Sequence, residues 1–250
     1  SPTEPSVPRI MHWPRPGLKL RALSLLLIGT SVHAQTRHDL RWGREAMIVG
    51  VGLGLNTSGL LLAQRPRPEA IRPGPVPSID RVSTRLWHPQ ASRASDALFG
   101  IAAGAAVLGA IRNQHGEQPL LPVAIIAQST LLSIGLTTTV KELVRRPRPY
   151  LHHSDVPPSL HDARKDHLSF WSGHTANTAA ITFACASLVQ HSDAPRGWRT
   201  AAWIAAAGAP ALMGYLRIRA GKHFPTDVIA GYAVGTAVGL GTAYFHRQPK

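Results

Sequence analysis

Six long apolar blocks dominate the hydrophobic pattern of the chain. Each has 16 to 21 residues and almost no charge, and they cover 46–63, 97–112, 120–140, 174–190, 200–216 and 227–245. No block alternates strictly between apolar and polar residues, so the pattern predicts helices rather than strands. The block lengths approach the roughly 20 residues that cross a bilayer. The expected fold class is therefore all-α, a six-helix transmembrane bundle.

Small residues are frequent within the blocks, as in GIAAGAAVLGA at 100–110. They let helices approach closely in lipid, where burial of apolar surface does not drive helix association. Asn56, inside the first block, is expected to hydrogen-bond a neighbouring helix. The alternative interpretation is a soluble all-helical protein with unusually apolar core helices, because the second and fourth blocks are short.

The N-terminal segment has the order of a secretory signal. Basic residues precede a short apolar run at 22–29, and the small residue Ala34 follows. This run is too short to span a bilayer comfortably. We expect an N-terminal tail at 1–34 with a signal peptide at about 11–34, followed by one domain at 35–250. An N-terminal anchor or an amphipathic tail is the alternative.

Composition narrows the classes of function. Lys and Arg total 27 against 13 Asp and Glu, giving a net charge of +14, so an anionic partner is expected. Nucleic acid, a phospholipid surface and a phosphorylated substrate all fit this charge. The lone Cys185 excludes a disulfide framework and a cysteine-ligated zinc site.

Three motifs at the edges of the apolar blocks carry the candidate chemistry. In chain order they are the first motif, Lys141–Pro149, the second motif, Ser169–Thr175, and the third motif, Arg217–Asp227. The first motif supplies Lys141 and Arg148, and the third supplies Arg217. Arginine matches phosphate oxygens in two-point fashion, and lysine adds a point charge.

The second and third motifs add a helix start and two imidazoles. Ser172, Gly173 and His174 open the fourth block, where free N–H groups make a ready anion site. Gly173 lets the backbone come close to a ligand. His223 and Asp227 are four residues apart and share a helix face. A carboxylate on one ring nitrogen would leave the other free to attack.

Helix parity places the three motifs together. The first motif ends the third block, the second begins the fourth, and the third connects the fifth and sixth. If each block crosses the membrane, all three lie on the same side. One phosphate-sized site built from all three motifs is therefore geometrically allowed.

This order and spacing resembles the type 2 phosphatidic acid phosphatase (PAP2) superfamily. The carrying pattern is Lys-x6-Arg-Pro, then Ser-Gly-His, then Arg-x5-His-x3-Asp, over about 141–227, and the helix order extends it to roughly 46–245. That group includes lipid phosphate phosphatases, class A acid phosphatases, glucose-6-phosphatase and vanadium haloperoxidases. The resemblance implies a bundle of the PAP2/haloperoxidase-like type.

The resemblance also implies roles for the motif residues. His223 would attack phosphorus and form a phosphohistidine, and Asp227 would orient it. His174 would protonate the leaving oxygen and then help to activate water. The phosphoryl oxygens would be held by Lys141, Arg148, Ser172, the N–H of Gly173, and Arg217. No metal or other cofactor is implied, because cationic side chains already neutralise the phosphate.

Two positions depart from the family pattern. Trp171 stands where the family usually has proline before Ser-Gly-His, which affects the angle at which the fourth block begins. Leu216 replaces the usual serine before Arg217 and removes one hydroxyl contact. Neither change deletes a catalytic group, so activity is expected to survive.

Other polar clusters receive plainer interpretations. Residues 64–68 repeat the RPRP sequence of 146–149, but Leu60 occupies the place of the motif lysine, which predicts a basic loop. A solvated polar loop is expected for His152, His153, His161, His167, Asp155, Asp162 and Asp166, whose spacings match no standard metal site. Substrate and anionic lipid head groups remain alternative partners for Arg145, Arg146, Arg219 and Lys222.

The leading hypothesis is a membrane-embedded phosphatase that hydrolyses a lipid phosphate or pyrophosphate through a phosphohistidine. A soluble periplasmic class A-like acid phosphatase, a vanadate-binding haloperoxidase and a non-enzymatic basic membrane protein are alternatives. The partners expected are a lipid phosphate and membrane lipids, and no nucleic-acid-binding signature occurs. We expect a multi-pass protein of a bacterial-type inner membrane. We expect the catalytic side to face the periplasm, which the family resemblance favours, whereas the arginine-rich loops favour the cytoplasm.

Overall fold

Helices make up most of the computed structural model, which describes residues 38–66, 74–112, 120–162 and 164–247. The expected signal peptide and part of the 64–68 repeat lie outside these residues. The helices are α1 (Trp42–Ala63), α2 (Pro89–Arg112), α3 (Leu121–Val144), α4 (Gly173–Gln190), α5 (Arg196–Arg219) and α6 (Pro225–Phe245). Short 3-10 helices cover Ser78–Arg85, Pro149–His152, Pro158–Leu160 and Lys165–His167. An isolated bridge joins His38 to Arg247, but no strand occurs in the described ranges. The predicted all-α class is confirmed.

Local sequence signals explain where several helices begin and end. Ser172 caps α4 by accepting a hydrogen bond on its side chain from the Thr175 N–H. Pro225 occupies the first turn of α6, where its missing N–H costs no hydrogen bond. Arg145 adopts a left-handed conformation with φ 49° just after α3. Helix α2 begins at Pro89, eight residues before the apolar block at 97–112, so its first two turns are polar.

Helix α4 is the centre of the bundle. It packs against α2, α3, α5 and α6, whereas α1 packs chiefly against α3. Of its 18 residues, 13 are buried, and most of these are Ala, Thr or Ser. Small side chains on every face let four helices approach α4 at once. The second motif, at the start of α4, is thereby enclosed by neighbouring helices.

A row of glycines brings α6 against α4. A methyl group on Gly231 would lie 2.6 Å from the carbonyl oxygen of Ser172. Gly235 and Gly239 meet the carbonyls of Ala176 and Ala180 even more closely. No larger residue fits at these positions without moving the helices apart. The close approach fixes the start of α6, and with it the third motif, beside the start of α4.

Five of the six described helices, all except α4, are long and apolar enough to cross a membrane. Their outer faces carry large apolar side chains, such as Leu60 at 59% exposure and Ile101 at 68%. Lipid solvates such faces, whereas water would not. The chain is a multi-pass membrane protein, and this surface argues against the soluble alternative. Asn56 donates to the Leu131 carbonyl on α3 over 3.3 Å, which confirms the interhelical bond expected of it.

Candidate active site

The second motif meets the first motif at the start of α4. A methyl group on Gly173 would lie 2.9 Å from Cγ2 of Thr137 and 3.7 Å from Cε of Lys141. Lys141 extends past this glycine and donates from Nζ to the carbonyl oxygen of Leu168. The absence of a side chain at Gly173 therefore lets a lysine lie beside the N-terminal N–H groups of α4.

The third motif joins the second through main-chain groups. The Ser172 N–H donates to the carbonyl oxygen of Asp227 over 3.0 Å. Nδ1 of the buried His223 lies 2.7 Å from the carbonyl oxygen of Ser169. A carbonyl oxygen only accepts, so Nδ1 carries the proton and the lone pair of the ring resides on Nε2. His223 is thus held in the tautomer that a nitrogen nucleophile requires.

Asp227 stabilises this arrangement without a hydrogen bond to the His223 ring. Its Oδ2 lies 3.7 Å from Nδ1 of His223, too far for a hydrogen bond. The same oxygen accepts from the Ser169 hydroxyl over 2.5 Å and from the Phe224 N–H over 2.9 Å. The carboxylate therefore holds Ser169, whose carbonyl holds His223. The direct Asp227–His223 hydrogen bond suggested by the helix spacing does not form in this structure.

A buried ionic network fixes Asp227 in turn. Arg146 donates to Oδ1 of Asp227 over 2.5 Å and to Oδ2 of Asp80 over 2.8 Å. Asp80 also accepts from the N–H of Thr226 over 3.0 Å, in the first turn of α6. The guanidinium of Arg146 lies 4.0 Å from the centre of the Phe224 ring. Arg146 is therefore an internal partner of two carboxylates.

Arg148 and Arg217, the motif arginines expected to bind phosphate, both lie close enough to His223 to lower its pKa further than burial alone does. Arg217 is buried at the end of α5, where Nη1 donates to the hydroxyl of Ser95 over 3.1 Å. Its Nε is also buried and makes no hydrogen bond with any described residue. Arg148 is held by its own N–H, which donates to the Asp166 carbonyl over 2.9 Å. A buried guanidinium N–H without a partner suits an anionic ligand.

His174 faces α2 rather than a motif residue. Its Nε2 lies 2.9 Å from Oδ1 of Asp96, and the ring of Phe99 contacts it edge-on with centroids 5.9 Å apart. Asp96 also lies 3.9 Å from Nη1 of Arg217. The general-acid candidate, a phosphate-binding candidate and a carboxylate from α2 thus form one cluster.

Positive charge surrounds His223 on several sides. Burial, followed by the charges of Lys141 and Arg217, holds the pKa of His223 well below its usual 6.5. Neighbouring Lys222 has its pKa lowered to about 8, mainly by burial and then by Arg148 and Arg217. The imidazole is therefore neutral near neutral pH, and the cations around it favour a bound anion.

The other basic residues singled out in the sequence are used in different ways. Arg145 donates to the carbonyls of Leu62 and Pro66 over 3.1 and 2.8 Å and ties α3 to the end of α1. The ammonium of Lys222 lies 5.0 Å from the centre of the Tyr150 ring. Arg219 lies over its helix neighbour Tyr215 at 5.9 Å.

The histidine-rich loop makes local polar contacts. His161 lies 3.3 Å from Asp166, and Asp162 accepts from the N–H groups of Arg164 and Lys165 over 2.9 and 3.1 Å. Across the described ranges, no three His, Cys, Asp or Glu side chains are grouped so that they could hold a metal ion.

Trp171 donates to the hydroxyl of Thr137 over 2.9 Å, and α4 still begins at Gly173 despite the missing proline.

The sequence predicted no role for Asp80, Ser95, Asp96 or Ser169, although Ser169 lies within the second motif. The first three lie in polar stretches before or at the start of α2 and have no fixed spacing to a motif. Ser169 acts through a carbonyl oxygen, which every residue possesses. One signal was present for Asp96, because an acidic residue at the edge of an apolar helix is uncommon.

The sequence model of the PAP2 superfamily matches residues 122–250, just over half of the chain. The chain belongs to the PAP2 superfamily. The match includes the first, second and third motifs, so the residues brought together at the start of α4 are those that led to the resemblance. It does not include α2, which supplies Ser95 and Asp96.

This PAP2 protein is similar to a curated protein and to a solved structure. Phosphatidylglycerophosphatase B of Bacillus subtilis (strain 168) is 33% identical over 101 residues, which is 40% of this chain and 46% of that protein. The chain thus spans less than half the length of this curated relative. The crystal structure of the first transmembrane PAP2 type phosphatidylglycerolphosphate phosphatase from Bacillus subtilis is 22% identical with a TM-score of 0.48. That likeness covers 78% of this chain and 94% of the other.

Proposed function

We propose that this PAP2 protein is a metal-independent membrane phosphatase that removes the terminal phosphate of a lipid through a phosphohistidine on His223. The observation that carries the proposal is the convergence of the three motifs. Lys141 and the first N–H groups of α4 lie together, and Ser172 and Ser169 tie this helix start to Asp227 and His223. A tetrahedral anion is the ligand class that these donors suit.

The reaction would proceed in two displacements. Nε2 of His223 attacks phosphorus, the bond from phosphorus to the lipid oxygen breaks, and His174 donates a proton to that oxygen. Water then attacks the phosphohistidine while His174 takes a proton from it, which releases inorganic phosphate and restores His223. Lys141, Arg148, Ser172, Gly173 and Arg217 would hold the phosphoryl oxygens. Such preorganised donors usually supply the largest share of rate enhancement in phosphoryl transfer.

The substrate is proposed to be a lipid, because the site lies at one end of a membrane-embedded bundle. The candidate classes are phosphatidylglycerophosphate, phosphatidate, polyprenyl phosphate or pyrophosphate, and the lipid A phosphates. The name of the curated relative makes phosphatidylglycerophosphate the first substrate to test.

Phosphate release by the purified full-length protein in detergent tests the proposal. Wild type should release phosphate from at least one of these lipids, and His223→Ala should release none above background. His191→Ala is a matched control, because His191 lies after the last turn of α4, at the opposite end of the bundle. Equal release by wild type and His223→Ala would refute the assignment.

We place the protein in a bacterial-type inner membrane with the active site facing the periplasm. Helix α6 begins at the site and runs to the opposite end of the bundle, so the C-terminus would be cytoplasmic. Fused after Lys250, a reporter that works only in the cytoplasm should be active, and a reporter that works only in the periplasm should be inactive. The reverse result would put the active site in the cytoplasm.

A further inference from the structure

The Asp96–His174 pair brings a carboxylate into the site from outside the three motifs. Oδ1 of Asp96 lies 2.9 Å from Nε2 of His174. One turn further along α2, Phe99 packs its ring edge-on against the same imidazole. Two α2 residues therefore hold His174, and both precede the part of the chain that the family model matches.

The charges around His174 oppose one another. Asp96 on α2 is anionic, whereas Lys141 on α3 and Arg217 on α5 are cationic. Burial, followed by the charges of Arg217 and Lys141, disfavours the imidazolium form, and the carboxylate of Asp96 favours it. A general acid must hold a proton before it can donate one. Asp96 thus supplies the charge that this role of His174 requires.

We infer that Asp96 is a positioning residue that orients His174 and keeps a proton on it for transfer to the leaving oxygen. This inference rests on the proposed function. In the first displacement the bond from phosphorus to the lipid oxygen breaks and the oxygen takes its proton from His174. In the second, His174 recovers a proton from water. Asp96 stabilises the imidazolium before the first step and after the second.

The leaving group provides a test that a merely structural role would not pass. A lipid alkoxide is a poor leaving group and needs protonation, whereas p-nitrophenolate leaves without it. Loss of Asp96 should therefore slow a lipid phosphomonoester far more than p-nitrophenyl phosphate. Asp96→Asn removes the charge at constant size, and Asp96→Glu retains a carboxylate. Asp193→Asn is a matched control, because Asp193 is exposed in the loop between α4 and α5, at the opposite end of the bundle.

The experiment measures kcat and KM of full-length protein in detergent with both substrates. For Asp96→Asn we expect kcat on the lipid to fall about 10- to 100-fold with little change in KM, the range measured for residues that orient metal-bound histidines. The alkaline limb of the pH profile of kcat should move to lower pH, because the His174 imidazolium loses the stabilising charge of Asp96. The kcat/KM for p-nitrophenyl phosphate, which includes only the steps up to release of the leaving group, should fall less than about 3-fold. Asp96→Glu should regain part of the lipid activity.

Other outcomes overturn the inference. Equal losses of kcat/KM on both substrates would make Asp96 a structural residue, because kcat/KM includes only the steps up to release of the leaving group. Unchanged or faster turnover by Asp96→Asn, with tighter inhibition by inorganic phosphate, would make it an anion that competes with substrate. A wild-type protein inactive on every substrate would instead refute the proposed function itself, which separates the two failures.

Discussion

His223 donates from Nδ1 to the main-chain carbonyl of Ser169 over 2.7 Å, and this bond leaves Nε2 free to act as a nucleophile. The Asp227 carboxylate, 3.7 Å from the ring, acts one step further away by binding the Ser169 hydroxyl. Main-chain geometry, rather than a direct carboxylate–imidazole bond, therefore sets the tautomer in this structure.

Asp227→Asn should consequently be milder than His223→Ala. The single oxygen of the asparagine can still accept from Ser169, so the carbonyl of Ser169 stays near His223, although the amide nitrogen then replaces the oxygen that accepts from Arg146. We expect kcat to fall about 10- to 100-fold for Asp227→Asn, and activity to be lost for His223→Ala. Steady-state kinetics with a lipid phosphate measures both. Complete loss in both variants, with folding intact, would show that Asp227 acts on the ring directly.

The pH dependence of kcat/KM should reflect the lowered pKa of His223. Neutral imidazole is the attacking form, so activity is present above this pKa and disappears as the pH falls through it. The acid limb should therefore lie well below pH 6.5, the usual histidine value. Lys141→Met removes the first of the cations that lower the pKa, which should move the limb to higher pH.

That shift is read from the kcat/KM profile, which reports groups of the free enzyme. Lys141→Met should also bind phosphate more weakly, which lowers the maximal kcat/KM. The test therefore compares the pH at which the acid limb lies, not the maximal value. An acid limb that stays in place in Lys141→Met would contradict the electrostatic explanation.

The network of Arg146 with Asp80 and Asp227 should be important for stability. Arg146→Gln leaves two fully buried carboxylates without their cation. Removal of one partner from a buried ion pair costs about 3–5 kcal/mol of unfolding free energy. Thermal unfolding in detergent should show a clearly lower Tm than wild type. Arg196→Gln, at the exposed start of α5, is the control that should retain its Tm.

The close contact between α4 and α6 predicts which glycines of α6 can be replaced by alanine. Gly235→Ala would drive a methyl group into the carbonyl of Ala176, and forced overpacking costs about 1–3 kcal/mol or more. Because this contact also aligns the second and third motifs, we expect both stability and activity to fall. Gly241→Ala meets nothing within 4 Å and should behave as wild type. Similar Tm and activity for the two variants would argue against the close packing.

The sequence was sufficient to predict the helical class and the meeting of the three motifs. Apolar blocks too long and uncharged for loops predicted the helices, and their parity put Lys141, His174 and His223 at one end. Helix α2 starts eight residues before the apolar block that predicted it. Its first two turns include the polar residues Gln90, Arg93 and Asp96, and the length of an apolar block cannot reveal helical turns that face a polar site. For the same reason Asp96 and Asp80 were missed. Their roles depend on three-dimensional contacts across 78 and 66 positions, to His174 and Arg146.

Trapping of a phosphoenzyme tests the central claim most directly. Full-length wild type and the His223→Ala and His191→Ala variants would be quenched during turnover of a lipid bearing a radiolabelled terminal phosphate. We predict an acid-labile, base-stable phosphoryl group on His223 of wild type and His191→Ala, and none on His223→Ala. Label retained by His223→Ala, or turnover by wild type with no label on His223, would contradict the proposal that the three motifs form one site with His223 as its nucleophile.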